Sequence, residues 1–418
     1  MQTYDMIIVG GGISGLYSAY KIKQKYPRKR IAILEKYDYL GGRMGNKLFE
    51  GEQVVTGAGV GRKEKDKLLI KLLEEMHVKS HEFITGPAYS PVIQFPCDVK
   101  AIFLDLKKQF DCEKHSAMTF NKYATGILGK KIYNQFIVCA GYTDYEEESA
   151  YETIHHYGFD DNFSTWTALG IPWKELVEKL GKKIGVNNIF YSQNVQHIYT
   201  NQNDGVSGGE CYIIESKMKN RTMYFEAKHI IVATTIEALK KIMPGASNKK
   251  SIYQQIHSQH FLRIYGKFSK ESTKIMKMAV PNTLIVPGPL HKIIPMNPDK
   301  GIYMISYTDN EAASLLHKYE KNTKKNRDAL ARLLEKSIGL QDHTLELENI
   351  DECFWTEGTH YYQPLKDVCR NRDYFIKLAQ HPFENIWVVG EMVSKKQGWV
   401  EGALESVEAV IDEVFDAM

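Results

Sequence analysis

The tightest constraint on the fold is a glycine run close to the N-terminus, Gly10-Gly11-Gly12-Ile13-Ser14-Gly15. It follows the apolar run 6–9 (MIIV) and leads into residues 14–25, where Leu16, Ala19, Tyr20 and Ile22 recur at helical spacing. A four-residue apolar run bounded by glycines is too short for a helix and reads as a buried strand. Residues 31–34 (IAIL) supply a second strand, which completes a β-α-β unit. In a G-x-G-x-x-G turn of this kind Gly10 makes the tight turn, Gly12 lets the backbone approach a pyrophosphate, and Gly15 packs helix against strand. The helix N-terminus, with Ser14 in its first turn, turns amides and a positive dipole towards the phosphates. Glu35 stands twenty residues beyond Gly15, at the end of the second strand, where a carboxylate accepts both ribose hydroxyls and disfavours a 2′-phosphate. The pattern specifies a dinucleotide and leaves FAD and NAD both open.

With 418 residues, 43% of them hydrophobic, the chain has material for two or three domain-sized units. A net charge of +3 is too mild to indicate nucleic acid. Lysine-rich stretches at 62–71 and 318–327 read as solvated faces. The six cysteines, Cys97, Cys112, Cys139, Cys211, Cys353 and Cys369, form no CxxC pair and read as scattered buried thiols of a reducing compartment. No run approaches the ~18 apolar residues of a membrane span. The strand at 6–9 leaves no room for a signal peptide, so a cytoplasmic location is expected.

Along the chain, an amphipathic helix is expected at 66–76 (Leu68, Leu69, Leu72, Leu73), then mainly helical, aromatic-rich segments from 77 to 183. Strands are expected at 189–191, 195–199, 212–215 and 229–233. A second mixed region holds strand-like runs at 261–268 and 301–307 and a charged helix at 327–336. Residues 385–389 (NIWVV) form a last buried strand, followed by a loop and a helix from about Trp399. The fold expected is α/β: a discontinuous Rossmann-like nucleotide-binding domain (1–76, 186–248, 384–418) with an interleaved mixed α+β substrate domain (77–185, 249–383).

The choice between the two dinucleotides turns on the residues just past Glu35. The run EKYDYLGGR, ending in Gly41-Gly42-Arg43, resembles the E-x(5)-GGR extension of the flavin amine oxidase superfamily, which includes monoamine, polyamine and L-amino-acid oxidases. The paired glycine lets the chain pass close to a cofactor, and Arg43 can neutralise pyrophosphate charge. Thr56-Gly57-Ala58-Gly59-Val60-Gly61 is similar to the family's second glycine-rich segment, with Gly59 and Val60 at the positions whose backbone touches the flavin. Val195 matches the valine that holds adenine through its backbone. Gly390-Glu391 and the stretch 398–406 (GWVEGALES) resemble the closing motif: Glu391 would bond the ribityl chain or a phosphate-side hydroxyl, and the amides of Trp399 and Val400 would open a helix towards the flavin pyrimidine carbonyls.

The resemblance therefore implies FAD. It also implies that the FAD is bound non-covalently, because Thr359 stands where covalent members carry a cysteine. It places His360 and Trp399 at the two aromatic positions that flank an amine in monoamine oxidases, where rings can hold an amine by cation–π contact. Tryptophan at the closing position is more like the L-amino-acid oxidases. Arg263 replaces the family's usual lysine, and ordering a water, binding a substrate carboxylate and forming a salt bridge all remain open for it. Val407 replaces a usual glycine. The acidic run 144–152 (DYEEESAYE) reads as a solvated face or as a guide for cationic substrates.

The activity implied is oxidation of an amine C–N bond (monoamine, polyamine or amino acid) to an imine, with oxygen reduced to hydrogen peroxide. The expected partners are a small amine and oxygen, with no nucleic acid, membrane or metal. Two other readings are a C–C desaturase or isomerase of the protoporphyrinogen or carotenoid type, and an FAD-stabilised binding protein with little turnover.

Overall fold

The computed structural model describes residues 2–199, 211–365 and 371–418. Parallel strands Gln2–Val9, Ile31–Leu34 and Ile189–Phe190 lie side by side, and Arg221–Val232 flanks Gln2–Val9 on its other edge. Beyond it, Ile386–Val388 pairs in parallel with residues 230–232. Tyr212–Met218 and Asn194–Tyr199 extend the sheet antiparallel, to seven strands in all.

Near-continuous burial on both faces of the first strand explains its unbroken apolar run. Met6 and Ile8 pack into a core under helices Ile13–Lys25, Trp173–Ile184 and Val400–Glu408; Ile7 and Val9 face a second core under Ile236–Ile242 and Arg372–Gln380. Val407 is fully buried in the first of these cores, which accounts for a side chain at that position.

A five-stranded antiparallel sheet stands opposite, in the order Leu284–Ile285, Lys292–Asn297, Ile302–Asp309, Ile256–Phe268, Leu347–Tyr362. Leu262, Ile264 and Ile305 pack beneath helices such as Lys324–Ile338. On the alternate side Tyr265 and Met304 pack against Phe49 and Val54 of the N-terminal third. That side also carries the cross-strand row Cys353–Arg263–Tyr307–Lys292.

Residues 77–183 are largely helical as expected, but they also contain strands His81–Thr85 and Trp166–Gly170, which join Gly61–Arg62 in a small sheet. The helix Phe120–Ala140 is broken at Gly129 (φ +74°), and aromatic residues such as Phe103, Phe120 and Phe159 pack around it.

Two expectations need correction. Cys97 and Cys139 are joined in a disulfide, with Cα atoms 5.3 Å apart, while Cys112 is exposed and Cys211 and Cys353 half-buried. Spacing in sequence carries no information about a pair 42 residues apart, and Cys369 lies outside the described residues. Nor is the run 144–152 a solvated face: Tyr145, Glu148 and Glu152 are buried. Glu152 accepts from Arg372 Nε at 2.7 Å and meets His156 Nδ1 at 2.8 Å, so its burial is offset by paired donors.

Removing one partner of a buried ion pair leaves the other charge stranded. Arg372→Met is therefore expected to cost about 3–5 kcal/mol, read as a lower urea midpoint with an unchanged slope. A shift near zero would show that the Arg372–Glu152 pair carries little stability.

Candidate active site

One cavity of ≈1550 Å³ runs between the two sheets. At one end it is bounded by the glycine turn. Gly10 has φ +106°, and a Cβ there would lie 2.4 Å from the Ala233 carbonyl oxygen; a Cβ on Gly15 would meet the Gly10 carbonyl at 2.0 Å. At Gly12 the same addition meets nothing within 4 Å, so the turn leaves open space. Gly12 is also the N-cap of helix Ile13–Lys25 and offers no side-chain cap, so the amides of that first turn, Ser14 among them, face the cavity uncapped.

Glu35 is buried beside this turn. Its carboxylate accepts from Gly11 N at 2.6 Å and Tyr37 N at 2.8 Å. Burial pushes its carboxyl up, and those two N–H groups offset part of the rise. Val195 lines the same end of the cavity, next to Gln193.

Midway, Glu391 gathers residues from three stretches of chain. It pairs with Arg43 Nη1 at 2.8 Å and His360 Nδ1 at 2.5 Å, and accepts from Gly398 N at 3.1 Å. Arg43 also donates to the Gly358 carbonyl at 2.9 Å. Burial alone would raise the Glu391 carboxyl; His360, the Arg43 guanidinium and the Gly398 N–H outweigh it and hold the carboxyl far below the usual range. Gly42 (φ +55°) and Gly390 (φ +131°) provide the left-handed and extended backbone on either side.

At the far end, Gly59 and Val60 line the wall, and a Cβ on Gly59 would lie 3.6 Å from the Arg263 guanidinium. Trp399 lines the cavity and precedes Val400, the first residue of helix Val400–Glu408, again without a side-chain cap. The Arg62 guanidinium lies 3.6 Å over the Trp399 ring and is itself anchored by Asp66 (2.6 Å) and Asp161 (3.1 Å). Arg263 sits 4.2 Å from the centre of the Tyr307 ring. Among the described residues it makes no ion pair, and its Nε is buried without a partner there.

His360 does not take the place expected of it. It is buried behind the wall; its Nε2 accepts from Ile236 N at 3.2 Å while Nδ1 meets Glu391. With both ring nitrogens engaged, its part in the geometry is to orient Glu391. Sequence reasoning gave no individual role to Tyr307, Tyr142, Asp144 or Lys292, all of which line the far chamber. Only Lys292 carried a usable signal, as a charge set inside the apolar stretch 284–296, where a solvated lysine is out of pattern.

A group whose folded pKa is lowered contributes stability above its unfolded value and loses it as pH falls. Glu391→Gln is expected to cost about 3 kcal/mol at pH 7. The gap from the unsubstituted protein should hold down to the ordinary carboxylate value of about 4.5 and narrow progressively below it, as read by denaturant melts at each pH. A gap independent of pH would show that the loss is one of shape and not of charge.

Comparisons with known proteins extend this geometry. A family profile described as an NAD(P)-binding Rossmann-like domain matches residues 8–75. An uncharacterized protein of Acanthamoeba polyphaga mimivirus is 44% identical over 55 residues, so the matched stretch spans 13% of this chain and only 11% of that relative's length. Among solved structures, wild-type putrescine oxidase bound to putrescine superposes with a TM-score of 0.72 at 16% identity, over 99% of each chain. A triple mutant of putrescine oxidase from a redesign of its cofactor binding gives 0.73 at 16% identity over the full length of both. The resemblance to flavin amine oxidases read from the sequence holds at the level of the fold. This chain carries an N-terminal Rossmann-like nucleotide-binding segment and has, over its whole length, the fold of putrescine oxidase.

Proposed function

We propose that this protein is an FAD-dependent oxidase acting on the C–N bond of an amine. The observation that carries the reading is one continuous cavity, which joins a dinucleotide turn at one end to a chamber of rings and cations at the other. Two uncapped helix N-termini open into it, at Gly12 and Trp399. The first suits a pyrophosphate, and the second suits the electron-rich side of a reduced ring system.

The residues present fit FAD bound without a covalent link. Gly10, Gly12, Ser14 and Gly15 would hold the phosphates, Glu35 the ribose and Val195 the adenine. Gly42, Arg43, Gly390 and Glu391 would border the middle of the cofactor, with Gly59, Val60, Trp399 and Val400 around the flavin. When bound, FAD supplies a two-electron acceptor for a hydride equivalent. We propose that residues 1–76, 186–248 and 384–418 form the FAD-binding domain and 77–185 and 249–383 the substrate domain. In support, every strand of the seven-stranded sheet comes from the first set.

The chamber residues act on the amine. Trp399 and Tyr307 offer ring faces; Arg62, over the first, is neutralised by two aspartates, while Arg263, over the second, keeps positive charge in the chamber. That charge lowers the proton affinity of an amine bound beside it and so eases loss of a proton to the neutral form, which readily gives up hydride; a free alkylamine sits near the lysine value of about 10.4. The products of the proposed cycle are an imine, which water hydrolyses, and hydrogen peroxide from oxygen. No helix among the described residues is long and apolar enough to cross a membrane.

Anaerobic stopped-flow mixing with monoamines, diamines and amino acids tests the reading. At least one of them should bleach the flavin absorption, and faster with rising pH over the alkaline range. Bleaching only by a polyene or porphyrinogen would make the protein a desaturase, and bleaching by none of these would leave a binding protein.

A further inference from the structure

The far chamber holds two ionisable side chains, Lys292 and Asp144, that the proposed chemistry does not use. Both line the cavity wall. Lys292 extends from strand Lys292–Asn297 and lies 3.3 Å over the Tyr142 ring; among the described residues its Nζ makes no hydrogen bond or ion pair. Asp144 accepts from the Tyr157 hydroxyl at 2.7 Å, and among the described residues no other side chain bonds its carboxylate. The two are not within ion-pair distance of each other, so neither satisfies the other directly.

The local backbone is built to present them together. Helix Phe120–Ala140 ends at Gly141 in the left-handed region (φ +69°), and a Cβ there would lie 2.7 Å from Lys292 Cε. Glycine at this position is what leaves room for the lysine stem. The next loop is pinned where Thr143 donates from its backbone N (2.9 Å) and its hydroxyl (2.5 Å) to Asp309. Tyr142 and Asp144 thereby reach the chamber from either side of Thr143.

Buried charge without a partner is costly, so a chamber with an unpaired acid and an unpaired amine on its wall is complementary to a ligand that brings both counter-charges. Burial holds the Lys292 amine down to about 7 and pushes the Asp144 carboxyl up to about 7. The other ionisable groups that act on the couple are Asp309, Glu148, His291, Tyr142, Tyr145, Tyr157 and Tyr307, with Arg263 beside Tyr142 and Tyr307. A diamine would satisfy Asp144 but would bring positive charge against both Arg263 and Lys292. A simple carboxylate would satisfy Lys292 and repel Asp144.

We infer that Lys292 and Asp144 form a subsite for the zwitterionic head of an amino acid, its carboxylate on Lys292 and its ammonium on Asp144. This deepens the amine-oxidising reading by choosing among its substrate classes, and it rests on that reading only for the fate of the bound molecule, because binding can be measured without turnover.

The probes are three compounds of one shape: 2-aminoisobutyrate (a zwitterion), tert-butylamine (the ammonium alone) and pivalate (the carboxylate alone). None has a hydrogen on the carbon bearing its polar group, so none can be oxidised there. Calorimetric titration of the FAD-loaded protein should show 2-aminoisobutyrate binding at least ~10-fold more tightly than either of the others, a difference of about 1.4 kcal/mol. Lys292→Met should erase its advantage over tert-butylamine, and Asp144→Asn its advantage over pivalate. Lys292→Arg and Asp144→Glu should restore much of each, which guards against mere misfolding. Equal binding of tert-butylamine and 2-aminoisobutyrate, no binding of 2-aminoisobutyrate, or an unchanged preference in folded Lys292→Met would overturn the inference. If the head preference holds but no amine or amino acid reduces the flavin, the oxidase reading fails and the subsite stands.

Discussion

The carboxylate of Glu391 ties together parts of the chain hundreds of residues apart. Through Arg43 it holds the segment that leaves the second parallel strand, through His360 the end of the longest strand, and through Gly398 the loop before the closing helix. Each contact is a hydrogen bond to an ionised acceptor in a buried setting, where such bonds are strong and where loss of one partner strands the rest. Both ends of the cavity depend on this junction. The glycine turn sits on one side of it, and the ring-lined chamber, reached through Gly358, Thr359 and Trp399, on the other.

The chamber repeats one device three times. Arg62 lies over Trp399, Arg263 over Tyr307 and Lys292 over Tyr142, each cation against a ring face. Contacts of this kind fix ring orientation while keeping positive charge close to whatever enters. The three pairs are anchored differently. Arg62 is locked by two aspartates, whereas Arg263 and Lys292 have no anionic partner among the described residues. Charge on the first serves the framework, and charge on the other two faces the chamber.

Much of the parallel-sheet region was legible because local physics dictates it. A glycine that must adopt φ +106° against a carbonyl, or that must admit a neighbouring backbone, leaves its mark in the sequence whatever the rest of the chain does. The buried ends of the parallel strands were equally plain, since burial on both faces makes 6–9, 31–34 and 230–232 apolar, whereas the polar, partly exposed start of Arg221–Val232 did not read as strand. Strand Leu347–Tyr362 was not legible: its pairing shifts register twice and most of its residues are only half-buried, so no two-residue alternation survives. His360 shows the limit of carrying a position over by resemblance. Its position in the chain was picked out by resemblance, but the direction of its ring is set by the Ile236 amide and Glu391, which no local pattern displays. Lys292 and Asp144 meet only through the end of a kinked helix and the register of a distant sheet.

The order in which the seven-stranded sheet is assembled bears on how the chain reaches this state. Its earliest strand precedes the neighbour Arg221–Val232 by more than two hundred residues, and Ile386–Val388 comes later still. During synthesis the earliest β-α-β unit therefore waits with an apolar edge unpaired, exposed to wrong partners, until the strand at 221–232 has left the ribosome. Productive folding of this molecule is for that reason a late event, and its yield should depend on chaperones that shield the waiting strand.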